Sequence, residues 1–296
     1  MGALASKRRR SVNIAAVVFL APAIFFLGTF IIYPIINSFQ LSFHDWNGIT
    51  AHRDFIGIRN WLELFSDRVF WFAFRNNLIV VFFSLLFQVP FALALATFLD
   101  AGGKKFTIFK IVWFLPLLMS TVAVGFLFRF GLDANFGIVT FFSRLFGGGA
   151  VDLLGDQSRV LLTVIGVICW RFIPFYMILY LAGYSNLPEE TYEAAIIDGA
   201  TRSQYFWRVA LPLLWPTIRN GAVLSIVGSL SFFDLIFVMT GGGPGIASEL
   251  MATYMYRNAF QIMRVGYGAT VASAMFILIT IIALIVFRLL NRKEKP

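Results

Sequence analysis

Residues 14–36 read IAAVVFLAPAIFFLGTFIIYPII, a run of 23 residues without a charged side chain. At a rise of about 1.5 Å per residue, a helix of this length crosses the roughly 30 Å hydrocarbon core of a bilayer. The run is too long for the apolar core of a secretory signal peptide, and no small-residue cleavage pattern follows it. The sequence therefore predicts that this segment is retained as a membrane-spanning helix.

Five further runs have a similar length and composition, and each is predicted to be a span. The composition of the whole chain also indicates a membrane protein, because 59% of its 296 residues are apolar and 13% are charged. A soluble domain has about 45–50% and 25% respectively. We therefore predict an all-α, polytopic membrane protein with six transmembrane helices; the later five runs are residues 77–99, 111–128, 160–181, 221–239 and 269–287.

The distribution of basic residues predicts the orientation of these spans. If the N-terminus is cytoplasmic, more than half of the 24 Lys and Arg residues, including every lysine, fall in cytoplasmic segments. The positive-inside rule then places both termini in the cytoplasm. The chain is accordingly divided into a basic N-terminus (residues 1–13), a six-helix membrane domain (14–290) and a cytoplasmic tail (291–296).

Several classes of function find no support in the sequence. Cys169, the single cysteine, can form no internal disulfide, and His44 and His52 have no ligand cluster at metal-binding spacing. No nucleophile, base and oxyanion-donor pattern is visible, which argues against a lipid-modifying or other enzyme. The net charge of +9 is explained by membrane orientation, because no basic stripe with interleaved aromatic residues indicates nucleic acid.

The segment between the fourth and fifth spans is the most informative. Residues 187–200 read LPEETYEAAIIDGA. Pro188 suits the first position of a helix, the glutamates that follow suit its positive end, and Gly199 suits its stop. Ser203 can cap a second short helix that ends near Pro212. The pattern predicts a helix-turn-helix elbow on the cytoplasmic face, which is either a docking site for a partner or a plain surface hairpin.

The string EAAxxDGA at residues 193–200 resembles the EAA loop of permease subunits in binding-protein-dependent ATP-binding-cassette (ABC) importers. The resemblance extends to RNN at 75–77, FLP at 114–116 and TGGGP at 240–244, which are similar to the carbohydrate branch related to the maltose and glycerol-phosphate permeases. It implies the type I importer permease fold, with residues 187–212 seated in a groove of an ATPase subunit. The coupling residues that it implies are Glu193, Ala194, Ala195, Asp198, Gly199 and Ala200.

The resemblance also implies partners. No GxxxxGK[ST] phosphate-binding loop occurs in the chain, so ATP and Mg²⁺ are expected in a separate ATPase subunit, and this chain is expected to hold no cofactor and to be no enzyme. The implied assembly contains a second permease in a heterodimer, two ATPase subunits and an extracytoplasmic solute-binding protein. Its expected location is the cell membrane of a bacterium or archaeon.

Polar residues within the spans suggest a substrate path. Arg171 lies near the middle of the fourth span, where a cation costs roughly 2.5–3.5 kcal/mol on insertion scales, so we expect it to serve substrate, to pair with Asp234, or to do both. On the fifth span, two serines and a phenylalanine recur on one face, although serine in a span also packs helices together. The predicted path is Arg171, Phe172, Phe175, Ser225, Ser229, Phe232 and Asp234, and the predicted turn on the outer side is Gly241, Gly242, Gly243 and Pro244.

These observations predict the permease subunit of an ATP-driven importer of a mono- or oligosaccharide. Closure of the ATPases, carried through the elbow, would switch the helix bundle from inward-open to outward-open. A permease for glycerol phosphate or a polyol remains an alternative, for which Arg171 would suit the anion. An ion-coupled secondary transporter would need several carboxylates within the spans, and Asp234 is the single one found.

Overall fold

The computed structural model describes residues 17–291, which are mostly helical and form two compact units. The first comprises the described residues up to Ser66 with Met255–Ala274, and the second comprises Asp67–Tyr254 with the residues from Met275 onward. These two units are defined by the packing of the chain. The three segments predicted from the sequence (residues 1–13, 14–290 and 291–296) are defined by their position relative to the membrane, so the two units do not test that division and it stays a prediction. Its N-terminal segment, residues 1–13, lies outside the described residues, as do residues 292–296 of its tail.

The first unit is built around a long helix and a short hairpin. Asn60 donates from Nδ2 to the carbonyls of Ser42 and His44 at 3.1 and 3.0 Å, and these two bonds hold a helix of the unit against the hairpin. The elements are α1 (Val17–Leu41), β1 (His44–Asp45), β2 (Asp54–Phe55), which pairs antiparallel with β1, and α2 (Arg59–Ser66).

The second unit is a bundle centred on its longest helix, which spans 35 residues. The helix begins at a side-chain cap, because Asp67 Oδ1 accepts from the N–H of Val69 at 2.8 Å. The elements are α3 (Arg68–Gly102), α4 (Thr107–Leu118), α5 (Thr121–Gly131), α6 (Ile138–Leu145), α7 (Val160–Ser185), α8 (Glu189–Ile197), α9 (Arg202–Leu230) and α10 (Asp234–Met239). Two helices, α11 (Met251–Tyr256) and α12 (Val265–Asn291), begin in one unit and end in the other.

Helix α3 packs against α7 and α9 through small and aromatic side chains. Ala92 and Ala96 of α3, Tyr180 of α7 and Leu214 of α9 are all buried in one apolar cluster. Small residues on α3 allow the backbones to approach closely, which is the usual way that helices associate where lipid supplies no hydrophobic driving force. This packing sets the distance between the helices that carry the candidate site.

Among the described residues, five helices are long and apolar enough to cross a membrane, and the count rises to six if one bent pair forms a single span. That pair is α4 and α5, which meet at 91° within the predicted third span, residues 111–128. The predicted span therefore contains a sharp bend that hydropathy did not indicate. The helix ends at Leu118 because Met119 and Ser120 adopt extended ψ angles of 144° and 136°, and Pro116 has no N–H to donate near this break.

The fifth predicted span, residues 221–239, was wrong in its bounds. Helix α9 begins earlier, at Arg202, and ends at Leu230, and the separate helix α10 begins at Asp234. Phe233 between them adopts φ −136° and ψ −60°, which is not a helical conformation. Hydropathy misses this interruption because two of its three residues, Phe232 and Phe233, are as apolar as the helices on either side.

A glycine at the contact of α5 with α10 allows a stability test. A Cβ placed on Gly125 would lie 2.7 Å from Val238 Cγ1, whereas a Cβ on Gly131 of the same helix would meet nothing within 4 Å. We expect Gly125→Val to lower the free energy of unfolding by about 1–3 kcal/mol, because overpacking forces the helices apart. Thermal unfolding of the detergent-purified chain measures this, with Gly131→Val as the control. Equal effects of the two variants would contradict the packing described here.

Candidate functional site

Residues 187–212, predicted to form an elbow, connect α7 to α9 and include the first turns of α9. Its first helix, α8, ends at Ile197, and Gly199 follows with a φ of +71°, the left-handed conformation that commonly ends helices. The N–H of Ala200 donates to the carbonyl of Ala195 at 2.9 Å and closes the turn. The predicted stop at Gly199 is confirmed.

The second helix of the elbow differs from the prediction in its start. Thr201, rather than Ser203, is the N-cap: its hydroxyl accepts from the N–H of Gln204 at 3.3 Å, and the Gln204 side chain accepts from the N–H of Thr201 at 2.8 Å. This reciprocal pair is a capping box, which satisfies two backbone donors at once. Threonine followed three residues later by glutamine is the sequence signal that identifies it.

The same helix also differs in its length. It does not end near Pro212 but continues through a π-helical stretch at Phe206–Ala210 and runs on to Leu230. The widened turn directly before Pro212 accommodates a residue that has no N–H to donate. The second arm of the elbow is therefore the beginning of the fifth membrane helix.

The elbow presents an apolar tip beside a polar depression. Ile197 is 84% exposed and Ile196 is also exposed, although both are large apolar residues. A depression of about 410 Å³ lies between α8 and the start of α9. Of the predicted coupling residues, Glu193, Ala194, Asp198 and Gly199 are exposed, Ala200 is half-buried and Ala195 is buried, and all but Glu193 line the depression.

A cavity of about 460 Å³ lies among α3, α5, α7, α9 and α10. It combines aromatic rings with hydroxyl groups, and Asp234 carries the one charge among the described lining residues. Six predicted path residues line it: Phe172, Phe175, Ser225, Ser229, Phe232 and Asp234. Residues that the sequence reasoning missed also line it: Gln88, Thr121, Tyr176, Ser231 and Phe233.

A buried polar network supports one wall of this cavity. Ser225 donates from its hydroxyl to Gln88 Oε1 at 3.1 Å, and Gln88 Nε2 donates to the hydroxyl of Ser84 at 3.3 Å. The hydroxyl of Ser225 is therefore engaged in joining α9 to α3, the packing role that serine often has in spans. A glutamine within an otherwise apolar run of α3 is the signal that would have identified Gln88.

Arg171 is the one predicted path residue that does not line the cavity. Its guanidinium donates to the backbone carbonyls of Pro116 and Met119, at the break between α4 and α5, and lies 3.4 Å from Thr121 Oγ1. The residue is 6% exposed and forms no ion pair with Asp234 in the part of the chain that the structure describes. A cation there complements the negative end of α4 and hydrogen-bonds carbonyls that lost their helical partners.

The predicted outer turn is closed by its own hydrogen bonds. Gly241 and Gly242 adopt positive φ angles of 60° and 91°, which favour glycine. Ser248 donates from its hydroxyl to the carbonyl of Gly243 at 2.6 Å and lies 2.7 Å from the hydroxyl of Thr240. The sequence Thr-Gly-Gly-Gly-Pro thus forms a compact loop directly after α10.

Comparison with known proteins agrees with this geometry. Residues 64–296 match the family described as binding-protein-dependent transport system inner membrane component. The probable ABC transporter permease protein YurN of Bacillus subtilis is 33% identical over 88% of this chain and 90% of its own. The multiple sugar-binding transport system permease protein MsmF of Streptococcus mutans is 30% identical over 90% of this chain and 91% of its own. A crystal structure of a bacterial ABC transporter that imports alginate, an acidic polysaccharide, superposes with a TM-score of 0.83 at 26% identity, over 99% of both chains.

The contacts of Arg171 predict a structural effect. We expect Arg171→Ala to lower the free energy of unfolding by about 1–3 kcal/mol, because a buried carbonyl and a partly buried carbonyl at the break in the third span lose their donors. Arg171→Lys restores only part of this, since an ammonium lacks the planar fork that reaches both carbonyls. Thermal unfolding of purified protein measures both effects.

The matched control is Arg159→Ala, which removes an exposed ion pair with Asp156 whose atoms lie 3.2 Å apart. Such surface pairs contribute about 1 kcal/mol or less. If Arg171→Ala were no less stable than this control, the described contacts of Arg171 would not support the break.

Proposed function

The chain belongs to the family of inner membrane components of binding-protein-dependent transport systems, and on this premise we propose that it is a permease subunit that imports carbohydrate. The observation that carries the substrate class is the 460 Å³ cavity, whose lining alternates aromatic rings with hydroxyls. Sugars are recognised by hydrogen bonds to their hydroxyls and by aromatic rings against their C–H faces. Relatives named for sugar transport support the same class.

The charge of the cavity favours a neutral sugar. Phosphate was an attractive alternative substrate because Arg171 could pair with it, but the Arg171 guanidinium is held by the carbonyls of Pro116 and Met119. The carboxylate of Asp234 remains, and it would repel an anion. Neutral mono- or oligosaccharides, or polyols, fit this lining better than glycerol phosphate or acidic sugars do.

The elbow is the proposed coupling element. An exposed apolar tip such as Ile196 and Ile197 is typical of a surface that becomes buried in a partner. The depression beside it, lined by Asp198, Gly199 and Arg208, provides polar groups for the rim of that contact. Because the second arm is the start of α9, a force applied at the elbow acts directly on a helix that lines the cavity.

The proposed assembly contains a second permease chain, as a heterodimer, two ATPase subunits and an extracytoplasmic binding protein. ATP and Mg²⁺ are bound by the ATPase subunits, so this chain needs no cofactor and catalyses no reaction. It crosses the cell membrane several times with both termini in the cytoplasm. Alternating access then exposes the cavity first to the binding protein and afterwards to the cytoplasm.

Uptake by the reconstituted transporter tests the substrate class. We expect proteoliposomes that hold the whole transporter, with its binding protein, to import neutral sugars and to reject uronic acid oligosaccharides. Phe232→Ala is expected to lower the uptake rate about tenfold, equivalent to about 1.4 kcal/mol, because the sugar loses an aromatic face. Phe130→Ala, which changes an exposed ring outside the cavity, is the control. Faster uptake of uronic acids than of neutral sugars would contradict the proposed charge selection.

Ile197→Asp tests the coupling element. Ile197 is exposed in the isolated chain, so the variant should insert and unfold like the wild type. Its carboxylate would be desolvated at the ATPase contact, and we expect co-purification of the ATPase to fall at least tenfold. The control is Ile49→Asp, another exposed isoleucine, in the loop between β1 and β2. Unchanged ATPase recovery with Ile197→Asp would exclude the tip of α8 as the docking site.

A further inference from the structure

Two adjacent asparagines in the third turn of α3, Asn76 and Asn77, are deeply buried, and they hydrogen-bond to different segments. Asn77 donates from Nδ2 to the carbonyls of Ser229 and Leu230, at 3.1 Å in both cases. Its Oδ1 accepts from the N–H of Met251 at 2.9 Å. Every hydrogen-bonding group of the amide except one oxygen lone pair is therefore engaged with backbone of another segment.

The backbone groups that Asn77 binds are those that helix ends leave without partners. Ser229 and Leu230 are the last two residues of α9, and their carbonyls have no helical N–H to accept from. Met251 is the first residue of α11, so its N–H has no helical acceptor. One side chain thus stabilises the end of one helix and the beginning of another.

The end of α9 is also where the cavity wall is formed. Ser229, Ser231, Phe232 and Asp234 all line the cavity, and the chain between Leu230 and Asp234 is not helical. The N–H of Ser231 still donates to the carbonyl of Val227 at 3.2 Å, and the carbonyl of Phe233 accepts from the N–H of Phe237 at 3.0 Å. Between these two bonds the helical ladder is interrupted at Phe232, so the position of the stretch depends also on contacts from other segments. The two bonds from Asn77 act at the residues immediately before it.

We propose that Asn77 is a positioning residue for the substrate cavity: it fixes the end of α9 so that the interrupted segment 231–233 presents its side chains to the substrate. The expected effect of Asn77 on sugar uptake rests on the proposed import function. The effect on the position of the segment is independent of any substrate, and the two can be measured separately.

The chain provides two matched controls. Asn76, one residue earlier, donates from Nδ2 to the carbonyls of Ala247 and Glu249, at 3.1 and 2.9 Å, rather than to the end of α9. Asn60 donates in the same way to two carbonyls of the first unit. All three side chains are buried, and replacing each by alanine removes two bonds that the amide donates to backbone carbonyls. At Asn77 the bond accepted from the N–H of Met251 is lost as well.

The first readout is the reactivity of a thiol at position 231 in the assembled transporter. Ser231→Cys places it in the cavity wall, and the chain without this substitution gives the background from the buried Cys169. We expect Asn77→Ala to change the rate of maleimide labelling at position 231 at least fivefold, because the segment is no longer held. Asn76→Ala and Asn60→Ala should leave the rate within twofold.

The second readout is uptake of a neutral sugar by the same variants without the added cysteine. We expect Asn77→Ala to lower the rate at least tenfold and Asn60→Ala to lower it less than threefold. If Asn77→Ala changes the labelling rate but even the wild-type transporter moves no sugar, the proposed function is refuted and the positioning role stands. An unchanged labelling rate would overturn the positioning role whatever the uptake.

Asn77→Ser, which retains a single donor, is the second variant in case Asn77→Ala does not assemble. An intermediate labelling rate is expected for it. If both Asn77 variants fail to assemble while Asn76→Ala and Asn60→Ala assemble, the contact holds the fold rather than the cavity wall, and the proposal is wrong.

Discussion

Each break in a membrane helix leaves backbone carbonyls and N–H groups that lipid cannot hydrogen-bond, and the protein has to supply their partners itself. The described chain has two such breaks next to its cavity, one between α4 and α5 and one after α9. Arg171 donates to the carbonyls at the first, and Asn77 donates to those at the second. Four carbonyls at the breaks thus receive donors from neighbouring helices, which helps irregular backbone to persist within the bundle.

The breaks account for the chemistry of the cavity. A straight apolar helix would present mainly hydrocarbon, whereas an interruption brings Thr121 at one break and Ser231 at the other to the same space as aromatic rings. The guanidinium of Arg171 is engaged with the carbonyls at the first break, and Arg171 does not line the cavity. A charge within a span can therefore be essential without touching a substrate, which is why its presence alone does not identify a ligand.

The sequence predicted the features that depend on local chemistry. Hydropathy located the spans along the chain but not their bounds, and the end of α8 followed from Gly199, because a left-handed residue after a helix favours glycine. The sequence did not predict the break after Leu230, since Phe232 and Phe233 keep the mean hydropathy of the segment high despite Ser231 and Asp234. The sequence also did not predict the partners of Arg171, because they are backbone carbonyls, which every residue type has.

Helix α9 joins the elbow to the cavity in one piece. Its 29 residues correspond to a rod of about 44 Å at the usual rise per residue. One end is exposed beside α8, and the other ends in carbonyls anchored by Asn77. If the elbow is the coupling element proposed above, a rod anchored at one end and pushed at the other pivots about its anchor, so the largest displacement falls at the elbow and the smallest at the end held by Asn77. The cavity would accordingly widen on the side of the elbow before the wall next to Asn77 moves.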